Sequence, residues 1–252
     1  MAFGYLPNMS PIKDLISKIF GCPSIIRRLQ APTIASMLKI TRNDVVLDGG
    51  CGQGYFTREI SKVAKLSIGC DINIIGNHVY VSKSTPRLFF TKCDMHELPF
   101  ATNTFSKILL SSVLQAVKND VIILKECYRV LKDRGIIVLS ASVDYLHFKW
   151  LNQNKETLKR KFEITGRGYY SLGELQSLLI DYGYEIIDCQ YSPRFLGSFI
   201  FELMLMLSFR YKFSVSWNHL FPIAYPIAWF DRFCSQRRKG CEVVIAVMKN
   251  NS

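Results

Sequence analysis

Residues 45–60, VVLDGGCGQGYFTREI, constrain the fold of this chain more than any other segment. A β-branched start leads into four glycines within six residues, and a helical pattern follows. Glycine loses more conformational freedom on folding than other residues, so chains keep it where the backbone needs unusual dihedral angles or a close approach. A strand that feeds a glycine-rich turn and a helix N-terminus is typical of nucleotide-binding folds. No lysine follows the last glycine, which argues against a P-loop.

Strands and helices alternate on both sides of this turn. Strands are predicted at residues 44–47, 65–73, 87–95, 105–112, 135–142, 185–191 and 241–250, and helices at 55–65, 121–131, 147–162 and 171–184. Ser171 and Glu174 predict a capping box at the start of the last helix, and Gly183 predicts its end. Alternating strands and helices indicate βαβ units. The predicted fold is α/β, a seven-stranded, mostly parallel sheet with an antiparallel last strand.

The length of 252 residues and a hydrophobic content of 49% suit one domain over residues 1–252. Residues 1–40 are predicted to form an N-terminal helical cap of two helices, broken at GCPS. Residues 191–239 are predicted to be a hydrophobic helical insertion between the last two strands. Charged residues and prolines interrupt its apolar run, so we expect it not to span a membrane.

Charge and cysteine content limit the partners and the compartment. The chain has 32 Lys and Arg against 20 Asp and Glu, a net charge of +12, which favours anionic partners. None of the eight cysteines forms a C-x-x-C pair, so we expect neither a metal site nor a disulfide framework. With no signal peptide visible at the N-terminus, the expected location is the cytoplasm.

Several motifs in register resemble the class I S-adenosylmethionine-dependent methyltransferases, especially the small-molecule type with an LD-x-G-C-G-x-G motif. The resemblance covers roughly residues 32–142. It is carried by VVLDGGCGQG, KCDMHELPF, FSKILLSSVLQAV and LKECYRVLKDRGIIVLS. It implies a Rossmann-like class I methyltransferase fold and the cofactor S-adenosyl-L-methionine, with S-adenosyl-L-homocysteine as product.

The resemblance also implies a set of cofactor-binding residues. The glycine turn would lie against the methionine part, Asp71 would accept both ribose hydroxyls, and Asp94 and Met95 would contact the adenine. The position of Asp71, about 20 residues beyond the turn, suits a carboxylate on a ribose diol in its own right. The full set is Asp48, Gly50, Cys51, Gly52, Gly54, Asp71, Ile72, Asp94, Met95 and Ser111.

The catalytic residues are less clear in the sequence. Ser106 stands where the family usually has Asp, and Ala116 where it usually has His, so no base carries over from the fourth strand. Methyl transfer from a sulfonium is an in-line displacement that depends mainly on alignment and exclusion of water. A base is needed only for a protonated nucleophile. His147 and His219 are the candidates.

The insertion should leave the sixth strand at the carboxyl edge, above the predicted site. Its apolar residues and basic flanks suggest a small hydrophobic or lipid-linked acceptor and peripheral contact with an anionic membrane, at its inner face. Two alternatives stay open: an RNA or protein methyltransferase, suggested by the charge, and a non-enzymatic, membrane-associated scaffold that keeps the cofactor fold. Without a recognisable nucleic-acid module, we do not expect a nucleic-acid partner. The oligomeric state stays open.

Overall fold

Seven strands form one sheet in a computed structural model, which describes residues 25–73, 86–144, 146–161, 164–210, 230–233 and 239–250. The strands are β1 Val45–Gly49, β2 Leu66–Asp71, β3 Leu88–Lys92, β4 Phe105–Ser111, β5 Leu131–Ser142, β6 Tyr184–Tyr191 and β7 Glu242–Lys249. Their order is β3-β2-β1-β4-β5-β7-β6. Strands β1 to β5 pair in parallel, and β7 lies antiparallel between β5 and β6. The predicted α/β fold is confirmed.

The strand order reverses beside β1, which has β2 on one side and β4 on the other. Chain crossovers that leave β1 and β4 go to opposite faces of the sheet, and such a switch point leaves a crevice at the carboxyl ends of the strands. The glycine turn at residues 50–54 follows β1 and therefore lies at this crevice. The fold alone places it there.

Helices cover both faces of the sheet. They are α1 Ile25–Leu38, α2 Tyr55–Ser61, α3 Asp120–Val130, α4 Lys149–Gln153, α5 Lys155–Lys161, α6 Leu172–Asp181 and α7 Phe195–Arg210, with short 3-10 helices at Leu114–Ala116 and Phe230–Phe233. The first helix predicted for the N-terminal cap lies outside the described residues, and the second is α1. The single helix predicted at residues 147–162 is wrong: the chain forms α4 and α5, separated at Asn154, whose φ of −111° is not helical.

Alternate residues of the central strands lie on opposite faces of the sheet and pack into two separate cores. Val46 of β1 and Leu109 of β4 pack with Ile34 and Leu38 of α1 on one face. Leu47 of β1 and its neighbours on the same face pack against α3 and α6. This two-residue alternation is the expected result of a pleated strand buried on both sides.

A third cluster joins the insertion to the rest of the molecule. Met204 and Leu205 of α7 pack with Leu151 of α4, Leu158 of α5 and Ile26 of α1. Within the described part of the chain, no helix combines the length and the hydrophobicity that crossing a membrane requires. Residues 211–229 and 234–238 of the insertion lie outside that part.

Ser106, which stands on β4 where the family usually has Asp, lies at the amino edge of the sheet, away from the glycine turn. Its hydroxyl donates to Asp44 Oδ1 at 2.8 Å and accepts from the Val45 amide at 3.1 Å. The same Asp44 carboxylate pairs with Lys107 at 3.2 Å. Ser106 therefore ties β4 to the start of β1, and the substitution leaves the carboxyl edge unchanged.

The start of α6 is capped as predicted, but only in part. The Ser171 hydroxyl accepts from the Glu174 amide at 3.2 Å, whereas the Glu174 carboxylate pairs with Arg167 at 2.7 Å. The capping box is therefore half formed. Gly183 has a φ of 84°, as expected for a helix-ending glycine.

The loop before α6 gives a prediction about stability. A Cβ at Gly166 would lie 2.2 Å from the Val117 carbonyl oxygen, whereas a Cβ at Gly173, within α6, meets nothing within 4 Å. Gly166→Ala should destabilise the protein by about 1–3 kcal/mol, because backbone atoms cannot move aside. Gly173→Ala should stabilise it by about 0.5–1 kcal/mol. Urea unfolding of both variants tests this; equal midpoints would contradict the close packing at Gly166.

Candidate active site

The turn after β1 is built from left-handed glycines. Gly50, Gly52 and Gly54 have φ values of 65°, 54° and 72°. The Cys51 amide donates to the Cys70 carbonyl at 3.0 Å, and the Gly54 amide donates back to Cys51 at 2.8 Å. Residues with a Cβ adopt these dihedral angles at a cost of about 1–2 kcal/mol each. The backbone itself therefore requires the glycines that the sequence singled out.

The glycines at positions 50 and 52 differ in what surrounds them. A Cβ at Gly50 would lie 2.6 Å from Val113 Cγ2, so this glycine makes room for protein packing. A Cβ at Gly52 would meet nothing within 4 Å. Open space beside a left-handed backbone is what a ligand lying along the turn needs. Gly52 therefore marks the face of the turn that can receive a cofactor.

Asp71, at the end of β2, is joined directly to this turn. Its Oδ2 accepts from the Gly52 amide at 2.9 Å, and its Oδ1 accepts from the Asn73 amide at 2.9 Å. The carboxylate is half-buried and next to Ile72, whose side chain is exposed. The structure thus brings together the two predicted elements, the glycine turn and the acidic residue about 20 positions later.

Asp48 lies under the turn and is buried. It accepts from the Thr57 hydroxyl of α2 at 2.6 Å. Burial raises the pKa of Asp48 to about 7, and the Thr57 hydrogen bond and the nearby Arg27 charge offset part of that rise. Asp48 holds the start of α2 against the end of β1, so its side chain supports the turn from below.

The predicted adenine residues lie beyond β3. Met95 is buried, with its sulfur 3.4 Å from Cys70 Sγ, and its side chain fills the space beside Gly49. Asp94 is exposed and accepts from the His96 amide at 2.9 Å and from His96 Nδ1 at 2.6 Å. These bonds lower the Asp94 pKa.

His96, next to the predicted adenine residues, bridges two loops. Its Nε2 lies 2.7 Å from the Lys118 carbonyl while its Nδ1 faces Asp94. Both partners are acceptors, and the pKa of His96 is raised, chiefly by the Lys118 hydrogen bond and further by Asp94. The imidazolium form satisfies both contacts. It links the predicted adenine loop to the segment before α3.

Ser111 belongs to a polar network that the sequence reasoning missed. Arg27 Nη1 of α1 donates to the hydroxyls of Ser111 and Ser112, the latter at 2.9 Å. Nearby, Gln30 donates to the buried carboxylate of Glu242, whose pKa burial raises. Glu242 also faces the Ser112 and Ser142 hydroxyls at 3.5 and 3.4 Å.

One signal in the sequence could have indicated Glu242. It is a charged residue at the first position of an otherwise apolar strand, and an antiparallel last strand begins at the carboxyl edge of the others. Arg27, whose charge lies near Glu242, carried no comparable signal, because it is one of two adjacent arginines in a helix before the first strand.

Of the two candidate bases, His147 can be placed and His219 lies outside the described residues. His147 Nδ1 is 2.8 Å from Glu202 Oε1 of α7, and its backbone amide donates to Oε2 at 2.6 Å. Ala116, where the family usually has His, is buried; its amide donates to the Val113 carbonyl and its carbonyl accepts from the amides of Thr165 and Gly166. No three His, Cys, Asp or Glu residues of the described ranges converge as they would around a metal ion.

Comparisons with known proteins agree with this geometry. Residues 47–139 match the family model described as "Methyltransferase domain". The chain is 29% identical to the sterol 24-C-methyltransferase of Kluyveromyces lactis over 59% of this chain and 42% of that protein. It is 26% identical to the malonyl-[acyl-carrier protein] O-methyltransferase of Buchnera aphidicola over 46% of this chain and 47% of that protein. The chain thus spans less than half the length of these curated relatives.

Solved structures share the fold. The S-adenosylmethionine-dependent methyltransferase from Mesorhizobium loti superposes with a TM-score of 0.60 at 14% identity, over 90% of this chain and all of that one. Residues 47–139 thus match a methyltransferase-domain family, and the sheet around them has the class I S-adenosylmethionine-dependent methyltransferase fold. S-adenosyl-L-methionine is the cofactor of this family, and the open, left-handed turn at Gly52 fits such a ligand.

Burial of Asp48 predicts a pH-dependent stability. The folded pKa of about 7 exceeds the ordinary value of 3.8, so between these values the folded protein binds more protons than the unfolded chain. Stability therefore falls as the pH rises toward 7, by on the order of 4 kcal/mol in total. Asp48→Asn removes this contribution, so its stability relative to wild type should rise between about pH 4 and pH 7.

Urea unfolding at several pH values measures this effect, with the exposed Asp181→Asn as control. Parallel stability curves for wild type and Asp48→Asn would contradict the raised pKa of Asp48.

Proposed function

We propose that this protein transfers the methyl group of S-adenosyl-L-methionine to a small or lipid-linked hydrophobic acceptor. The observation that carries the proposal is the hydrogen bond from the Gly52 amide to Asp71, which joins the glycine turn to an acidic strand end. When bound, the cofactor supplies an activated methyl group on a sulfonium. The task left to the chain is to hold that group, align the acceptor and exclude water.

In this proposal the cofactor lies along the turn, with the methionine part beside Gly50, Gly52 and Gly54. Asp71 has its oxygens at the edge of the turn and accepts the ribose hydroxyls. Asp94 and Met95 flank the adenine, with Ile72 on the exposed side. Asp48, Cys51 and Ser111 complete the set, with Asp48 acting from beneath the turn.

Arg27 extends this set. Its guanidinium lies over the ends of β4 at Ser111 and Ser112, next to the turn, and it is the cation available on α1 for a carboxylate such as that of the methionine part. Its interaction with Asp48 also lowers the cost of ionising that buried residue.

The hydrophobic acceptor is supported by the described part of the insertion. In α7, FLGSFIFELMLMLSFR, the apolar residues point to all sides of the helix, so apolar surface remains after packing. Phe199 and Leu207 of this helix, together with Phe230 and Phe233, are exposed. Relatives named for a sterol and for malonyl-[acyl-carrier protein] favour an apolar or carrier-linked acceptor.

The same surface and the basic flanks support peripheral contact with an anionic membrane from the cytoplasmic side, since apolar side chains beside positive charge favour interfacial binding. An RNA or protein acceptor rests on the net charge alone. A non-enzymatic scaffold would have no use for the open turn at Gly52.

The ribose role of Asp71 can be tested by calorimetry. Asp71→Ala should weaken binding of S-adenosylhomocysteine by at least about tenfold, because charge-assisted hydrogen bonds contribute about 1.5–3 kcal/mol. Methylthioadenosine, which lacks the amino acid part, should lose affinity by the same factor. The exposed Asp181→Ala is the control. Unchanged binding, or a loss confined to S-adenosylhomocysteine, would refute the ribose role.

Membrane contact can be tested by vesicle flotation. Phe230 and Phe233 are 58% and 70% exposed, and Ile180 and Ile187, on other elements, are 58% and 52% exposed. Wild type should float with vesicles of about 30% phosphatidylserine, because burying an aromatic side chain contributes about 1.5–3 kcal/mol. Replacing both phenylalanines by serine should reduce binding about tenfold, and replacing both isoleucines should not.

Equal losses in the two double variants would argue against an interface at the insertion. If instead an RNA oligomer binds, and its affinity falls steeply with salt, the nucleic-acid alternative would replace the membrane.

A further inference from the structure

A buried carboxylate in an apolar helix needs a reason. Glu202 lies in the middle of α7, and its side chain is fully buried. Taking an ionised carboxylate out of water costs several kcal/mol unless partners compensate, and an apolar side chain at such a site is often equally stable. A helix that only covered the domain would have no need of this residue.

The contacts of Glu202 all lead to one histidine and its neighbour. Oε2 accepts from the backbone amides of His147, at 2.6 Å, and Phe148, at 3.3 Å. Oε1 faces His147 Nδ1 at 2.8 Å. The two amides that donate to Oε2 stabilise the ionised carboxylate, and with Glu202 ionised the proton of the Oε1–Nδ1 contact is on Nδ1. In the neutral ring the basic lone pair is then on Nε2.

The imidazole is also held by aromatic rings of the same helix. Phe195 and Phe199 lie edge-on to it, with centroid distances of 4.9 and 6.3 Å. The ring thus has a fixed tautomer and a fixed orientation in largely apolar surroundings. A general base must be held within reach of the proton it takes, and a fixed ring provides this positioning.

This pair lies at the carboxyl edge of the sheet, on the side of the predicted cofactor turn. His147 follows β5, and the Val143 amide just before it donates to the Cys241 carbonyl at the start of β7. Cys241 and Ile26 belong to one cluster with Leu146. The next residue after Ile26 is Arg27, which contacts Ser111.

Other titratable groups surround the pair. Cys241, Glu202, Glu242 and Asp144 lie near Tyr169, and burial followed by these acidic neighbours raises the pKa of Tyr169 to about 12. Lys155 pairs with Asp144 and stacks on the Tyr169 ring. At neutral pH Tyr169 is therefore protonated and does not compete with His147 as a base.

We propose that His147 is the general base of the methyl transfer, that Glu202 is its positioning residue, and that the acceptor is an apolar alcohol or phenol. This rests on the proposed function. The acceptor oxygen forms a bond to the methyl carbon as the carbon–sulfur bond breaks. Sulfur keeps that electron pair and becomes a neutral thioether. The hydroxyl proton moves to His147 Nε2 and then to solvent.

The tautomer can be measured without any acceptor. In ¹⁵N spectra of uniformly labelled protein, the neutral His147 ring should carry its proton on Nδ1. Glu202→Gln should remove this preference, and Glu185→Gln, an exposed position on β6, should not change it. A neutral ring protonated on Nε2 in wild type would overturn the proposal.

The reaction class is tested with 4-dodecylphenol and dodecylamine as probes and labelled cofactor. Wild type should methylate the phenol. His147→Asn should slow this by about 10²-fold or more while S-adenosylhomocysteine binding stays within about twofold. Glu202→Gln should lower kcat with little change in KM, because the imidazole loses the partner that fixes its tautomer and orientation.

The failures are distinguishable. Transfer to the phenol at an unchanged rate in His147→Asn, transfer to the amine alone, or no transfer by a protein that binds S-adenosylhomocysteine would each overturn the base assignment. If Glu202→Gln fails to fold, Glu202→Asp takes its place and should keep the tautomer with a reduced rate. Absence of S-adenosylhomocysteine binding would instead refute the proposed function.

Discussion

The parallel pairing of β1 between β2 and β4 is the constraint on which the rest of the molecule depends. The pairing continues past the strand itself, because the Cys51 amide donates to the Cys70 carbonyl and the Gly52 amide to the Asp71 carboxylate. The turn is therefore held by the end of β2 as well as by its own glycines. Every group proposed to contact the cofactor is placed relative to this junction.

Buried charge at the carboxyl edge follows a consistent physical logic. Asp48 and Glu242 are fully buried carboxylates. The cost of burying each charge is offset by hydroxyl or amide donors and by the nearby Arg27. The cost of burying Glu202 is offset by two backbone amides and an imidazole. Such groups are costly in an interior unless they are bonded. A chain that only had to pack its core would not collect three of them at one edge, so their grouping points to chemistry there.

Local patterns in the sequence predicted the alternating strands and helices, the glycine turn and the acidic strand end at Asp71. The spacing of turn and Asp71 lies within a single βαβ unit, which the chain shows directly. The break between α4 and α5 was missed because the composition of residues 147–162 favours a continuous helix. The half-formed capping box was missed because Arg167, in the preceding loop, takes the Glu174 carboxylate. In both places contacts outside the pattern decided the outcome.

The contacts between distant segments at this edge were missed for a deeper reason. Arg27 meets Ser111 across 84 positions, Gln30 meets Glu242 across 212, and His147 meets Glu202 across 55. No short motif can encode contacts between segments so far apart. Within this fold, the sulfonium cofactor needs the same glycine turn and acidic strand end in each enzyme. An acceptor needs only alignment and, for a hydroxyl, a base. Many arrangements of distant residues can meet that smaller demand. The proposed acceptor site therefore depends on tertiary packing, which brings α1, the loop after β5 and α7 together.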